Sequence, residues 1–164
     1  MLADKYHDQI DAILSRYPSK RSAVLPLLYL AQREYGYCSE EAIKDVAGLV
    51  ELEPTEVFSV AGFYSLFHRD PTGRYVLEVC NDLPCALRGA DQFVDHVCKR
   101  LGVKPGETTP DGMFTVETVM CLGACDRAPM LQVNLDYHEN MDPDKFDALI
   151  EELRRKAAGA DDGH

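Results

Sequence analysis

Apolar residues in the first 70 positions recur at the spacing of amphipathic α-helices. A first helix, stopped by Pro18, is predicted to have one apolar face formed by Tyr6, Ile10, Ile13, Leu14 and Tyr17. A second helix, with Pro26 early in it and Gly36 as its stop, carries a stripe of Ala23, Leu27, Leu30 and Ala31. Each stripe predicts a helix that packs through one face.

Start signals predict two more helices. Ser39 is a suitable N-cap for a short helix whose apolar residues are Ile43, Val46, Ala47 and Val50. Pro54, at the tolerated first position, begins a fourth helix with Val57, Val60, Ala61 and Tyr64 on one side. Four helices with short connections predict a small helical bundle over residues 1–70.

The pattern changes after residues 69–74. Residues 74–80, RYVLEVC, alternate in polarity and predict a strand with Tyr75, Leu77 and Val79 on one face. A helix is predicted from Cys85 to Leu101, and two further strands within 113–120 and 129–134. A short strand around 137–138 and a last helix opened by Pro143 complete the prediction.

The order of these elements predicts an α+β fold. A helical bundle over residues 1–70 precedes a domain over residues 71–158, in which a thin sheet has helices packed on it. Residues 159–164 are expected to form a C-terminal tail.

Composition narrows the class of protein. The chain has 164 residues, of which 46% are hydrophobic and 27% charged, as in a soluble globular protein. Lys and Arg number 17 against 28 Asp and Glu, which gives a formal net charge of −11. Because such a chain repels phosphate groups, its charge argues against nucleic acids and anionic membrane surfaces as its main partners.

The charge of the N-terminal segment and the length of the apolar runs predict the cellular location. The N-terminal segment carries charges throughout, and no apolar run approaches the roughly 20 residues that span a bilayer. We therefore expect a cytoplasmic protein without membrane insertion. In a reducing cytosol, closely spaced cysteines more often bind metal or carry out redox chemistry than form structural disulfides.

Four of the six cysteines form two close pairs, Cys80 with Cys85 and Cys121 with Cys125. Each pair follows a predicted strand. If these strands are neighbours in one sheet, their loops meet at the same edge, and four thiolates converge as a C-x4-C and a C-x3-C pair. The sequence therefore predicts a metal site with these four cysteines as ligands.

The spacing favours a [2Fe-2S] cluster over zinc without excluding zinc. Structural zinc sites most often use C-x2-C pairs. In a [2Fe-2S] cluster, each cysteine pair can hold one iron. The small apolar residues 122–124 would let backbone amides approach the sulfurs, and a helix beginning at Cys85 would direct its positive end at the cluster. Arg88 is either an added positive charge or an ordinary solvated residue.

Two other classes of protein remain open from the residues alone. A thioredoxin-class dithiol enzyme normally needs C-x-x-C, which neither pair has. A zinc-stabilised interaction module would use the same four cysteines for structure. Cys98 and Cys38 are expected to be structural, and the five histidines stand at no ligand spacing.

Longer segments resemble a known family. VCNDLPCALRGA and VETVMCLGACDRAPMLQVN resemble the thioredoxin-like [2Fe-2S] ferredoxin family, typified by the E-type subunit of NADH-quinone oxidoreductase (respiratory complex I). Similar subunits occur in NAD-linked hydrogenases and formate dehydrogenases. The helical half, including RSAVLPLLYLAQREYGYCSEEAI, is similar as well, so the resemblance covers roughly residues 20 to 155.

The resemblance implies a thioredoxin-like domain behind a helical bundle, with Cys80, Cys85, Cys121 and Cys125 holding one [2Fe-2S] cluster. It also implies a partner, a flavoprotein subunit that binds FMN and NADH and carries a [4Fe-4S] cluster within a larger oxidoreductase. This chain has no G-x-G-x-x-G dinucleotide motif of its own, in keeping with NADH binding on the partner.

Overall fold

A computed structural model describes residues 1–161 and confirms the α+β fold class. The chain divides into two compact units, the first spanning Met1–Thr72 and the second beginning at Gly73. The first unit is helical, and the second contains the sheet.

The first unit consists of four α-helices. They are α1 (Leu2–Leu14), α2 (Val24–Tyr35), α3 (Glu40–Val50) and α4 (Pro54–Phe63), with a 3-10 turn over Lys20–Ala23 before α2. Ser39 caps α3 as predicted, because its side chain accepts a hydrogen bond from the amide of Ala42 at 3.1 Å. Gly36 follows α2 in the left-handed conformation, and Pro54 begins α4.

The prediction that α1 continues to Pro18 is wrong. The helix ends at Leu14, and Tyr17 lies in the turn that follows it. A proline disfavours the helical conformation of the residue before it, so the chain leaves the helix early.

One apolar core holds the first unit together. The buried faces of all four helices contribute to it, and its largest fully buried side chains are Leu2, Leu27, Leu28, Val46 and Val57. The predicted stripes are confirmed for α2 and α3, where the apolar positions are buried.

The second unit is built on a five-stranded sheet. Its elements are β1 (Tyr75–Cys80), α5 (Leu83–Ala86), α6 (Ala90–Leu101), β2 (Glu107–Thr108), β3 (Phe114–Val119), β4 (Leu131–Val133), β5 (Asp136–His138) and α7 (Pro143–Asp161). The strand order is β2-β3-β1-β4-β5. β1 and β3 are parallel, and the other pairs are antiparallel.

The predicted helix from Cys85 to Leu101 is in fact two helices. α5 is a single turn that contains Cys85, and α6 begins at Ala90. Gly89 separates them with φ of 95°, a conformation that a residue with a Cβ rarely adopts. Cys85 therefore lies inside a short turn and does not open a long helix.

The main core of this unit lies on one face of the sheet. Alternate residues of β1, among them Leu77 and Val79, pack with Phe93 of α6 and Phe146 of α7. α7 runs to Asp161, so part of the expected tail is helical, and residues 162–164 lie outside the described residues. Among the described residues, no helix combines the length and apolar character needed to cross a membrane.

Gly73, at the start of the second unit, provides a test of this packing. A Cβ on Gly73 would lie 2.8 Å from the carbonyl carbon and 2.9 Å from the amide nitrogen of Phe114. Since both contacts are with backbone, we expect Gly73→Ala to lower the free energy of unfolding by about 1–3 kcal/mol.

Gly48, inside α3, is the matched control because no atom lies within 4 Å of its added Cβ. Gly48→Ala should raise the free energy of unfolding by about 0.5–1 kcal/mol through helix propensity. Chemical denaturation of both variants measures the difference, and equal stabilities would contradict the packing described here.

Candidate metal centre

Parallel pairing of β1 and β3 brings the two cysteine loops together. Cys80, the last residue of β1, is in register with Val119, the last residue of β3. The amide of Asn81 donates to the Val119 carbonyl at 3.1 Å, and the Cys80 thiol donates to the Met120 carbonyl at 3.0 Å. The segments leading to Cys85 and to Cys121 therefore start side by side.

The first pair, Cys80 and Cys85, is buried, with 1% of each residue exposed. Asp82 caps the α5 turn by accepting a hydrogen bond from the amide of Leu83 at 2.9 Å, and this turn carries Cys85 back towards the strand end. Burial, followed by the hydrogen bond and charge of Cys80, raises the pKa of Cys85 to about 12.

The second pair, Cys121 and Cys125, lies nearer the surface. Cys121 is exposed, Cys125 is half-buried, and their sulfurs are 3.8 Å apart. The amide of Gly123 donates to the Cys121 sulfur at 3.3 Å, so one backbone N–H already faces this pair. The hydrogen bond to Cys121, followed by desolvation, raises the pKa of Cys125.

Neighbouring elements hold the second loop in place. The Tyr137 hydroxyl of β5 donates to the Leu122 carbonyl at 2.6 Å. The amide of Asn140 donates to the Arg127 carbonyl at 2.7 Å, and the Arg127 guanidinium pairs with Glu139 at 2.6 Å. The C-x3-C loop is thus held at Leu122, within its apolar middle, and at Arg127, just after Cys125.

A separate small apolar cluster surrounds the cysteines. Its buried members are Cys80, Cys85, Ala90, Ala124, Ala128 and Met130, and Leu122 packs against it. Ala124 and Ala128 are both buried, and their small side chains occupy little space in this cluster. A metal group bound by these cysteines would be buried on the side of Cys80 and Cys85 and nearer to solvent on the side of Cys121.

The structure brings the four predicted site residues to one end of the sheet. The charges of Cys80, Cys125 and Cys121 each contribute to the raised pKa of Cys85, so all three lie near it. Side-chain hydrogen bonds join the cysteines as two pairs, Cys80 with Cys85 and Cys121 with Cys125. Within residues 1–161, no group of three or more His, Cys, Asp or Glu side chains is placed to hold one metal ion.

The other two cysteines lie apart from this site. Cys98 packs beside the main core of the second unit. Cys38 is buried in the first unit, where its thiol donates to Gln32 Oε1 at 3.6 Å, and burial raises its pKa to about 11. Each is placed as an ordinary packing residue.

The spacing of the second pair suits a shared metal. Two thiolates bound tetrahedrally at about 2.3 Å each lie about 3.8 Å from one another. This is the distance between the sulfurs of Cys121 and Cys125. An all-thiolate donor set is also the one that iron–sulfur clusters use. The residues present therefore fit such a group.

One buried carboxylate near the site was not singled out from the sequence. Glu78 is 5% exposed and stands between Glu117 of β3 and Gln132 of β4 in the sheet. Burial, and then the charge of Glu117, raises the pKa of Glu78. The sequence signal for this buried carboxylate was the position of one acidic residue in the middle of the apolar run YVLEVC.

Comparison with known families agrees with the resemblance noted in the cysteine segments. A family model, described as thioredoxin-like [2Fe-2S] ferredoxin, matches residues 10–154. The chain belongs to this family. The match includes both units and all four cysteines of the two pairs.

Two curated relatives in the family are similar over most of their length. The second E-type subunit of NADH-quinone oxidoreductase from Rhizobium meliloti is 44% identical over 147 residues, which cover 90% of this chain and 88% of the relative. NADH-quinone oxidoreductase subunit 2 of Thermus thermophilus is 43% identical over 154 residues, covering 92% of this chain and 85% of the relative.

A solved structure shows a related arrangement. The NAD+-reducing [NiFe]-hydrogenase in its air-oxidized state matches with a TM-score of 0.68 and 25% identity. The match covers 79% of this chain but only 23% of that hydrogenase chain. This ferredoxin-family fold thus also occurs inside a much longer polypeptide.

The difference in burial between the pairs can be tested in metal-free, reduced protein. The thiolate is the reactive form, so Cys85, with its pKa raised to about 12, should be alkylated far more slowly at pH 7.5 than exposed Cys121. Alkylation of Cys85 should speed up about tenfold per pH unit as pH rises towards that pKa.

Mass spectrometry of iodoacetamide-treated protein measures both rates. Cys38, buried and with a raised pKa, serves as the slow control outside the site. Cys85 reacting as fast as Cys121 at pH 7.5 would show that the first pair is not enclosed as described.

Proposed function

We propose that this chain is an electron-transfer subunit that holds one [2Fe-2S] cluster through Cys80, Cys85, Cys121 and Cys125. The observation that carries the proposal is the placement of two cysteine pairs at one sheet edge, with sulfurs 3.8 Å apart in the second pair. The chain acts as an oxidoreductase subunit, within an NADH:quinone oxidoreductase, and its own part in the reaction is one-electron storage and transfer.

The paired arrangement supports a cluster over the zinc alternative. Structural zinc takes four ligands around one ion, whereas a [2Fe-2S] cluster takes two cysteines for each iron. A dithiol enzyme normally uses a C-x-x-C pair, and the two pairs here have C-x4-C and C-x3-C spacing. Family membership favours the same choice.

The protein contributes burial, hydrogen bonding and separation from solvent. A bound cluster supplies one-electron storage and transfer. Cys80 and Cys85 would hold the bound iron–sulfur cluster against the buried apolar side chains around them. The Gly123 amide, which donates to Cys121, would provide a hydrogen bond to negatively charged sulfur. Cys121 leaves the other side near the surface, where an electron can be exchanged.

We infer that the partner is a flavoprotein subunit that binds FMN and NADH and carries a [4Fe-4S] cluster. The relatives are named as subunits of NADH-quinone oxidoreductase, and this chain lacks a dinucleotide motif. The assembly would be the peripheral, cytoplasmic arm of the respiratory complex.

An apolar rim beside the cysteines supports docking at this place. Leu83 and Leu87, from the segment around Cys85, are 69% and 80% exposed, and Met120, next to Cys121, is 74% exposed. Large exposed apolar side chains grouped at one place are typical of protein–protein interfaces. A flavoprotein seated on this rim would bring its own redox group close to the cluster.

A second parent assembly is favoured by one observation. The fold match to the NAD+-reducing hydrogenase supports an equivalent subunit of an NAD-linked hydrogenase. A formate dehydrogenase subunit is the other alternative that the sequence resemblance implies. The identities of 44% and 43% to quinone oxidoreductase subunits favour the respiratory complex. Identifying the subunits that co-purify from the native cell separates the two.

The ligand assignment predicts a specific loss. Anaerobically purified protein should contain two irons and two sulfides per chain and give a reduced-state EPR signal. Cys121→Ser should abolish or strongly alter this signal, because one of the four thiolates is replaced by a hydroxyl.

Cys98→Ala is the matched control, because Cys98 lies beside the main core and away from the pairs. Its EPR signal should equal that of the wild type. A normal signal from Cys121→Ser would remove Cys121 from the ligand set, and stoichiometric zinc without iron would overturn the proposed function.

Docking on the apolar rim predicts that Leu87→Asn weakens binding to the flavoprotein subunit. Loss of one buried leucine side chain should raise the Kd about tenfold or more. Isothermal titration calorimetry with the cluster-loaded chain measures this change.

Leu135→Asn is the matched control, because Leu135 is also exposed and lies in the β4–β5 turn, at the opposite end of the sheet from Cys80. It should leave the Kd unchanged. Equal effects of the two substitutions would argue against a rim at the cysteine end.

A further inference from the structure

Arg88 contacts both cysteine segments. Its backbone amide donates to the carbonyl of Cys85 at 3.0 Å, and its guanidinium Nη1 donates to the carbonyl of Asp126 at 3.0 Å. Asp126 directly follows Cys125. A single residue thus joins the turn that carries the last cysteine of the first pair to the turn that carries the last cysteine of the second pair.

Two other hydrogen bonds join the cysteine loops to each other, and both lie at the starting ends of the loops. The hydrogen bonds of Asn81 to Val119 and of Cys80 to Met120 lie where the strands finish. The Arg88 bond lies at the far ends, beyond Cys85 and Cys125. It joins the two loops at the ends that lie beyond the pairing of β1 with β3.

The charge of Arg88 is also placed differently from that of its neighbour Arg127. Arg127 forms ion pairs with Glu139 at 2.6 Å and with Asp126 at 3.6 Å, so carboxylates offset its charge. Arg88 has a neutral carbonyl as its partner. Its positive charge is therefore available to favour added negative charge between the loops.

We propose that Arg88 is a positioning residue that holds the two cysteine pairs at a fixed separation and stabilises the reduced form of the group they bind. The proposal rests on the proposed function, in which each pair holds one iron. Arg88 does not touch the metal; it acts through the backbone of residues next to two ligands. The long side chain of Arg88 lets its planar guanidinium donate to the Asp126 carbonyl, which shorter side chains would not reach.

The test uses cluster-loaded, full-length protein with Arg88→Gln and Arg88→Lys. The hydrogen bond from Arg88 to Asp126 is exposed to solvent, so its contribution to stability is modest. Its loss should speed release of the cluster to a chelator about fivefold. Arg88→Gln should also shift the midpoint potential to more negative values, because a positive charge is removed. Arg88→Lys should keep the potential near that of the wild type while releasing the cluster faster.

One control variant separates this role from general effects. Arg155→Gln removes an exposed arginine that also donates to a carbonyl, but within α7, and should match the wild type in both measurements.

Equal release rates for Arg88→Gln and Arg155→Gln would overturn the positioning role, and equal midpoint potentials would overturn the electrostatic role. Absence of a [2Fe-2S] cluster from the wild type would instead contradict the proposed function itself, so the two failures are distinguishable.

Discussion

The parallel pairing of β1 with β3 is the constraint on which the site depends. Parallel strands end at the same edge of a sheet, so the loops after Cys80 and Val119 begin next to each other. A shift of one residue in this register would turn alternate side chains to the opposite face and bury Glu78 in the main core. Packing of Leu77 and Val79 against α6 and α7 resists that shift, and the same packing therefore fixes the candidate metal centre.

The two cysteine pairs differ in surroundings, and this difference follows from the fold. Cys80 ends a central strand, and Cys85 returns to it through one helical turn, so both are enclosed. Cys121 and Cys125 lie on a loop that is fastened from outside by Tyr137 and Glu139. A group held between the pairs would have one protected side and one side near the apolar rim, an arrangement suited to passing an electron to a docked protein.

The sequence predicted the elements whose signals are local. Ser39, Gly36 and Pro54 marked helix ends correctly, and alternation marked β1, because caps and periodicity act within a few residues. The break at Gly89 was missed, since a lone glycine is also tolerated inside a helix. The burial of Glu78 and the bond from Arg88 to Asp126 arise from residues 38 or more positions apart and have no local signature. The cysteine spacing indicated the candidate ligands, but only the strand order brings their loops to one edge.

Anomalous X-ray diffraction at the iron absorption edge, from crystals of anaerobically purified protein, tests the central claim most directly. The account predicts two iron atoms at the ends of β1 and β3, one bound by Cys80 and Cys85 and the other by Cys121 and Cys125. A single metal atom shared by all four sulfurs, or iron bound away from these cysteines, would contradict it.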